Sequence, residues 1–142
     1  MFYNKNSIIL SVCIPTFNRC KLLNKLLEQI YQLDDSTRQK VEICISDNCS
    51  TDSTAEVIER WSKNIDVVCI AQKSNIGASR NFQAVAAISS APWIMLMGDD
   101  DLLDVTGFKQ LVSTLLKIER NTWILADIQN EDNSTLLQKL AG

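Results

Sequence analysis

Histidine is absent from all 142 residues. Without it there is no side chain that ordinarily titrates near neutral pH, and no Ser-His-Asp or Cys-His scheme of nucleophilic catalysis. Zinc also loses its usual nitrogen ligands, and the five cysteines form no C-x-x-C pair, so a structural zinc site is disfavoured. Their odd number gives no disulfide framework. Cys13, Cys44 and Cys69 sit inside apolar runs, where a thiol behaves as a small hydrophobe, while Cys20 and Cys49 sit near loops. Reduced thiols in a cytosolic compartment are the simplest account. Glycine and proline are scarce, at four and two residues, and 46% of the chain is apolar, which excludes a disordered or fibrous class. No apolar run approaches the ~18 residues of a membrane span. A net charge of −3 argues against a general nucleic-acid binder. The glycines build neither G-x-G-x-x-G after the first strand nor G-x-x-x-x-G-K-[ST], so a dinucleotide fold is disfavoured and a P-loop is excluded as a motif. The opening MFYNKNSIIL has one lysine before a short apolar run and no small-residue cleavage site after it. It predicts a strand, not a signal peptide.

What is present is one domain's length and a strong alternation. The run Trp93-Ile94-Met95-Leu96-Met97 passes through Gly98 into Asp99-Asp100-Asp101, and Leu102-Leu103 follow. A short apolar run ending in a breaker suits a strand buried on both faces. Three adjacent carboxylates repel one another and ionise most easily around a cation, and hard ions such as Mg²⁺ or Mn²⁺ prefer carboxylate oxygens. The competing reading is a solvated acidic turn, with Asp101 or Asp104 capping the next helix. Elsewhere, Ile8 to Ile14 reads as a strand that stops at Pro15. Leu22, Leu23, Leu26, Leu27, Ile30 and Leu33 recur at helical spacing. Val41 to Asp47 is a second strand. Ser53-Thr54-Ala55-Glu56 reads as a capping box for a helix with Val57, Ile58 and Trp61 inward. A third strand spans Val67 to Ala71. The next helix carries Ala78, Phe82, Val85, Ala86 and Ser89 on one face, and Asp104 opens another with Val105, Phe108, Leu111, Val112, Leu115 and Leu116. Thr122 to Ala126 reads as a fifth strand, and residues 127–142 are unplaced.

Strand and helix alternate without repeat or linker, which predicts a mainly parallel α/β sheet with right-handed crossovers. Ligands of such sheets bind outside the carboxyl ends of the strands. The unusual polar residues fall there: Pro15-Thr16-Phe17-Asn18-Arg19, Asp47-Asn48-Cys49-Ser50, Asn75 to Asn81, and Asp99-Asp100-Asp101. Phe17 suits either base stacking or a hydrophobic staple. Asp47 suits a hydrogen bond to a nucleobase or ribose, or an Asx-turn. Ser50 and Asp52 suit turn and cap roles. Arg80 and Lys73 suit phosphate or a solvated surface. Gly77 gives a positive φ or a close approach at a helix start, where free N–H groups favour anions. A receiver-type doubly wound domain would want acids after the first strand, where Pro15-Thr16-Phe17-Asn18 stand.

Four segments in this order carry a family resemblance: Ser11-Val12-Cys13-Ile14-Pro15-Thr16-Phe17-Asn18-Arg19, Glu42-Ile43-Cys44-Ile45-Ser46-Asp47-Asn48-Cys49-Ser50-Thr51-Asp52, Asn75-Ile76-Gly77 with Arg80-Asn81, and Gly98-Asp99-Asp100-Asp101. Over about residues 7–104 the chain resembles family 2 glycosyltransferases, in wording most like the bacterial surface-polysaccharide and abequosyltransferase-like members. The resemblance implies a Rossmann-like three-layer α/β/α fold of the GT-A type with a mainly parallel sheet, residues 1–142 forming one sugar-nucleotide-binding domain. It implies a nucleotide-diphosphate sugar donor, a saccharide or lipid-linked acceptor, and a divalent metal, Mn²⁺ or Mg²⁺. Matching the family's donor contacts are Pro15, Thr16, Phe17, Asn18, Arg19, Asp47, Asn75, Gly77, Arg80 and Asp99. The metal falls to Asp100, Asp101 or Asp99, because Gly98 stands where the commoner Asp-Ala-Asp-Asp form has its leading acid. Members of that family are considerably longer and supply an acidic general base from a second half. Glu131-Asp132 resemble that base motif but follow the triad too closely. The chain therefore reads as a truncated donor-binding part, active as a transferase or binding donor without turnover. The expected setting is cytoplasmic, at the inner face of a membrane through peripheral association, and the open side of an incomplete sheet favours self-association.

Overall fold

In the computed structural model of the chain, which describes residues 8–118, four parallel strands form one sheet in the order β3-β2-β1-β4. The elements run β1 (Leu10–Thr16), α1 (Cys20–Tyr31), α2 (Asp35–Arg38), β2 (Val41–Asp47), α3 (Thr54–Trp61), β3 (Val67–Ala71), α4 (Ala78–Ala87), β4 (Trp93–Leu96) and α5 (Val105–Leu115). Parallel neighbours need crossovers, and each crossover here is a helix or contains one. The expected strand Thr122 to Ala126 and the pair Glu131-Asp132 lie outside the described residues.

Alternation along the central strands divides the core into two layers. Leu10, Val12 and Ile14 of β1, with Val41, Ile43 and Ile45 of β2, join the buried residues of α1, α3 and α5 in the main cluster. Cys13 and Cys44, register partners on β1 and β2, face the other way and pack under Val85 of α4. Helices thus cover both faces, as the three-layer expectation requires. All seven residues of β2 are buried, as befits a central strand of a parallel sheet.

Several local expectations are corrected. Proline does not end β1: Pro15 lies inside it, opposite Ser46. Carbonyls of Ile9 and Cys13 accept from Trp93 and Met97 on the β4 side, and that of Thr16 accepts from Asn48 on the β2 side. By this parity Pro15 points toward β4, whose pairing has already ended at Leu96, so its missing N–H breaks no ladder bond. The fourth strand is not buried on both faces. Ile94 is 50% and Leu96 55% exposed, while Trp93 and Met95 pack on the main cluster. On α1, Leu22 is exposed and Leu23, Leu26, Leu27 and Ile30 are buried. On α4, Phe82 is exposed and Asn81 takes the buried position one turn before Val85. Cys69 is exposed on β3, not packed inside. Helix α1 ends at Tyr31 with Gln32 as its C-cap, and Asp34 opens the single turn of α2 by accepting from the Thr37 amide.

Asp52, not Ser53, satisfies the start of α3. The expected capping box does not form. One carboxylate instead caps two helices: Oδ1 accepts from the Thr54 amide at 3.0 Å and Oδ2 from the Cys20 amide at 3.0 Å. The Thr54 hydroxyl, which also donates to it, is the main reason its pKa falls to about 2. Replacing Asp52 with alanine removes two N-caps, at about 1 kcal/mol each. A thermal melt should fall by roughly 5–8 °C; a shift below about 2 °C would show that water replaces the carboxylate at both ends.

Candidate functional site

The carboxyl ends of all four strands, with the loops that follow them, are tied into one rim by side-chain hydrogen bonds. At the tip of β1 the Thr16 hydroxyl donates to Asp99 Oδ2 at 2.8 Å, joining the first strand to the acidic turn after the fourth. The Arg19 guanidinium donates through Nη1 to Asp99 Oδ1 at 3.1 Å and to Asp100 Oδ2 at 3.2 Å. Those two carboxylates hold the guanidinium pKa above its ordinary value, Asp99 contributing most. In the same loop Asn18 takes φ +50°, a conformation asparagine tolerates better than most residues. Its side-chain oxygen accepts from the Thr51 amide at 2.7 Å, and its own amide donates to the Ser50 hydroxyl at 2.8 Å. The loops after β1 and β2 are therefore laced together.

A second set of bonds ties in the loop after β3. Asn48 donates from Nδ2 to Asn75 Oδ1 at 3.0 Å and accepts at Oδ1 from the Ile76 amide at 2.8 Å. Asn75 Oδ1 also receives the Gly77 amide, and Gly77 takes φ +82° at the start of α4. Beneath the rim, buried Asn81 accepts the Ser46 hydroxyl at 2.6 Å and donates to the Ser46 carbonyl at 3.0 Å. Gln72 donates to that same Ser46 hydroxyl at 3.0 Å.

Of the sequence-derived residues, Thr16, Arg19, Asp99 and Asp100 are in direct mutual contact. Phe17 is 41% exposed and joins neither core cluster, so the staple reading is not realised. Asp47 is buried and forms the Asx-turn, accepting from the Ser50 amide at 3.0 Å through Oδ1. Ser50 and Asp52 are turn and cap residues, as expected. The side-chain oxygens of Asn18 and Asn75 hold loops together and do not face an open cleft as free acceptors. Arg80 and Lys73 are exposed. Gln72 was missed from the sequence, and Asn48 and Asn81 were placed on the rim without a role. Asn81 carried a signal, a polar residue four before Val85 on an otherwise apolar helix stripe.

The acidic turn contains parts of both readings. Asp104 caps α5 through the Thr106 amide at 3.1 Å, and Asp101 accepts the Gly98 amide at 2.7 Å. Asp99 is buried, whereas Asp100 and Asp101 are exposed. A Cβ on Gly98 would stand 2.8 Å from Asp100 Oδ1 and 3.1 Å from Asp101 Oδ2. The two carboxylates thus fill the space beside the position that lacks a leading acid. Between α1 and this turn lies an open cleft of about 190 Å³ lined by Leu22, Lys25, Leu26, Asp99, Asp100, Asp101 and Leu102. The donor set fits a hard divalent cation, since Asp99 and Asp100 already converge on one cationic nitrogen. Among the described residues no group of three or more His, Cys, Asp or Glu is placed to hold a metal ion. An open two-carboxylate site suits an ion whose remaining positions are filled by phosphate oxygens.

This combination, a parallel sheet with its acidic turn at the end of β4, is the GT-A class of glycosyltransferase fold. Staphylococcus aureus TarS residues 1–349, solved with UDP-GlcNAc, superposes with a TM-score of 0.71 at 20% identity, over 78% of this chain and 32% of that one. The mannosyltransferase PcManGT from Pyrobaculum calidifontis, solved with GDP-Man and Mn²⁺, gives 0.64 at 21% identity, over 72% and 31%. The chain belongs to glycosyl transferase family 2, whose sequence model matches residues 11–138. It is 38% identical over 98 residues to the abequosyltransferase RfbV of Salmonella typhimurium, covering 68% of this chain and 29% of that protein. The chain thus spans about a third of the length of these relatives. Among the described residues no helix is long and apolar enough to cross a membrane.

Proposed function

We propose that this chain is the donor-binding part of a metal-dependent, inverting glycosyltransferase that moves a sugar from a nucleotide diphosphate to a saccharide or lipid-linked acceptor, in surface-polysaccharide synthesis of the O-antigen type. The observation that carries this reading is the convergence of Thr16, Arg19, Asp99 and Asp100 on one point of a rim built from all four strand ends. Phe17 offers an exposed ring to the nucleobase, and Asp47, engaged at Oδ1 by the Asx-turn, offers its second oxygen to the nucleoside. Arg80 and the Gly77 helix start flank the path of the diphosphate. Asp99 and Asp100, with Asp101 beside them, hold Mn²⁺ or Mg²⁺. When bound, the ion supplies charge stabilisation for the departing nucleotide diphosphate. Among the described residues the cleft beside the turn is lined by no acid apart from the triad, so deprotonation of the acceptor falls to a base elsewhere. A cytoplasmic setting at the membrane's inner face follows from a nucleotide donor and a lipid-linked acceptor.

Calorimetry with a panel of nucleoside diphosphates tests this directly. Binding should require Mn²⁺ or Mg²⁺ and should weaken at least tenfold in Asp100→Ala. Equal affinity with and without metal would remove the basis of the proposal. The absence, among the described residues, of an acid in the cleft beyond the triad also favours a second reading, donor binding without turnover. Release of free sugar from the donor by this chain would dismiss it.

A further inference from the structure

Arg19 occupies an unusual position for a donor-binding residue. Its Nη1 bridges Asp99 at 3.1 Å and Asp100 at 3.2 Å, so one monovalent cation already offsets half the charge of the two carboxylates that converge at the tip of β4. The other oxygen of Asp99 is taken by the Thr16 hydroxyl. A divalent ion and a guanidinium compete for the same facing oxygens, because the two cations repel at that separation. The Arg19 side chain is half exposed, as is that of Asp100, while Asp99 is 6% exposed. The arginine can therefore swing away without opening the core, whereas Asp99 stays fixed.

We infer that Arg19 is a built-in counter-cation that holds the acidic turn in its metal-free form and competes with the divalent ion for Asp99 and Asp100. The inference rests on the metal-dependent donor site proposed above and adds a residue that tunes metal affinity. Without metal the guanidinium offsets repulsion among three adjacent carboxylates. On loading it yields both contacts and becomes available to anionic groups at the rim. Each partly exposed ion pair is worth a factor of a few in an equilibrium constant, so losing two sets the scale of the competition.

The test is Mn²⁺ binding to the full chain without nucleotide, followed by electron paramagnetic resonance, for the wild type, Arg19→Ala and Lys25→Ala. Lys25 lines the same cleft without pairing with these carboxylates and controls for net charge. Arg19→Ala should bind Mn²⁺ about three- to tenfold more tightly, and Lys25→Ala should change affinity less than twofold. A melt provides the second readout: metal-free Arg19→Ala should unfold at lower temperature than wild type, and Mn²⁺ should raise its midpoint by more. Unchanged or weaker Mn²⁺ affinity in Arg19→Ala, an equal gain in Lys25→Ala, or no Mn²⁺ binding by any of the three would overturn the inference. If metal-dependent nucleotide binding persists in the wild type while Arg19→Ala shows no gain, the counter-cation role fails and the donor site stands. If Arg19→Ala shows the gain but nucleotide binding ignores metal, the donor reading fails instead.

Discussion

Asp99→Asn should lower Mn²⁺-dependent nucleoside diphosphate affinity by about a hundredfold while leaving the melting temperature within roughly 3 °C of wild type. Asp99 is the buried member of the acidic turn and is anchored from two sides by Thr16 and Arg19. Asparagine keeps the side chain's shape, and its amide oxygen can still accept from the Thr16 hydroxyl. What it removes is the charge. Hydrogen bonds and contacts to a charged group are worth about 1.5–3 kcal/mol, and a hundredfold loss corresponds to about 2.7 kcal/mol. A fold effect and a binding effect therefore separate in this one variant. Wild-type affinity in Asp99→Asn, read by calorimetry beside a thermal melt, would move the metal contact to Asp100 and Asp101.

The largest effect on stability is expected far from the rim. Glu42 is 2% exposed near the start of β2, with no cation paired to it among the described residues. Its carboxylate accepts from the Ser11 hydroxyl at 2.6 Å, the Ser90 amide at 2.6 Å and the Ser90 hydroxyl at 2.7 Å. Burial pushes its pKa up, but the donors from Ser11 and Ser90 outweigh burial and hold it below the ordinary glutamate value. The Ser11 hydroxyl also receives the Ala91 amide at 3.0 Å, so this node pins the turn between α4 and β4 onto the central strands. Glu42→Ala strands the buried Ser11 hydroxyl and the two partly buried donors of Ser90, and opens a cavity beneath α4. Orphaned donors cost about 1–3 kcal/mol each, and hydroxyls recover part of that by rotating. A loss of roughly 3–5 kcal/mol, or about 10–20 °C in the melt, should follow. A drop under about 3 °C would mean that solvent reaches the site and that Glu42 is not the anchor of β4.

Glu42 and Asp52 contribute to the response to pH, as does Asp34, whose pKa the Ser36 hydroxyl holds low. Both Glu42 and Asp52 have folded pKa values below their unfolded ones. Each therefore adds stability that is complete above the unfolded value and is lost as pH falls through the folded one. With no histidine in the chain, melting temperature should stay level from about pH 7 to 5.5 and decline below about pH 4.5. A marked fall between pH 7 and 5.5 would point to an unrecognised titrating group.

The strand and helix order was legible because period-2 and period-3.6 patterns are local. So was the rim, since parallel topology brings carboxyl ends together whatever the loops contain. What sequence could not supply was neighbourhood. Pro15 is tolerated in β1 because β4 stops short beside it, and nothing near Pro15 encodes where β4 stops. An apolar run such as Ile94 and Leu96 has the same pattern whether its outer face is covered or open. Asn18 and Asn75 carried the chemistry of ligand contacts, yet their oxygens meet partners 33 and 27 residues away that lace loops together. Glu42 was visible as an acid inside a β-branched strand, but its meaning depends on Ser11 and Ser90, which lie far from it in sequence.

The central claim is that an ion held by the acidic tip of β4 joins the protein to a nucleotide diphosphate. Anomalous scattering from Mn²⁺ in crystals grown with a nucleoside diphosphate tests it most directly. One peak between the carboxylates of residues 99–101 and the diphosphate is expected, with the base against Phe17 and Asp47. A nucleotide seated at the opposite end of the sheet, or an ion held by phosphates alone while these aspartates face solvent, would contradict it.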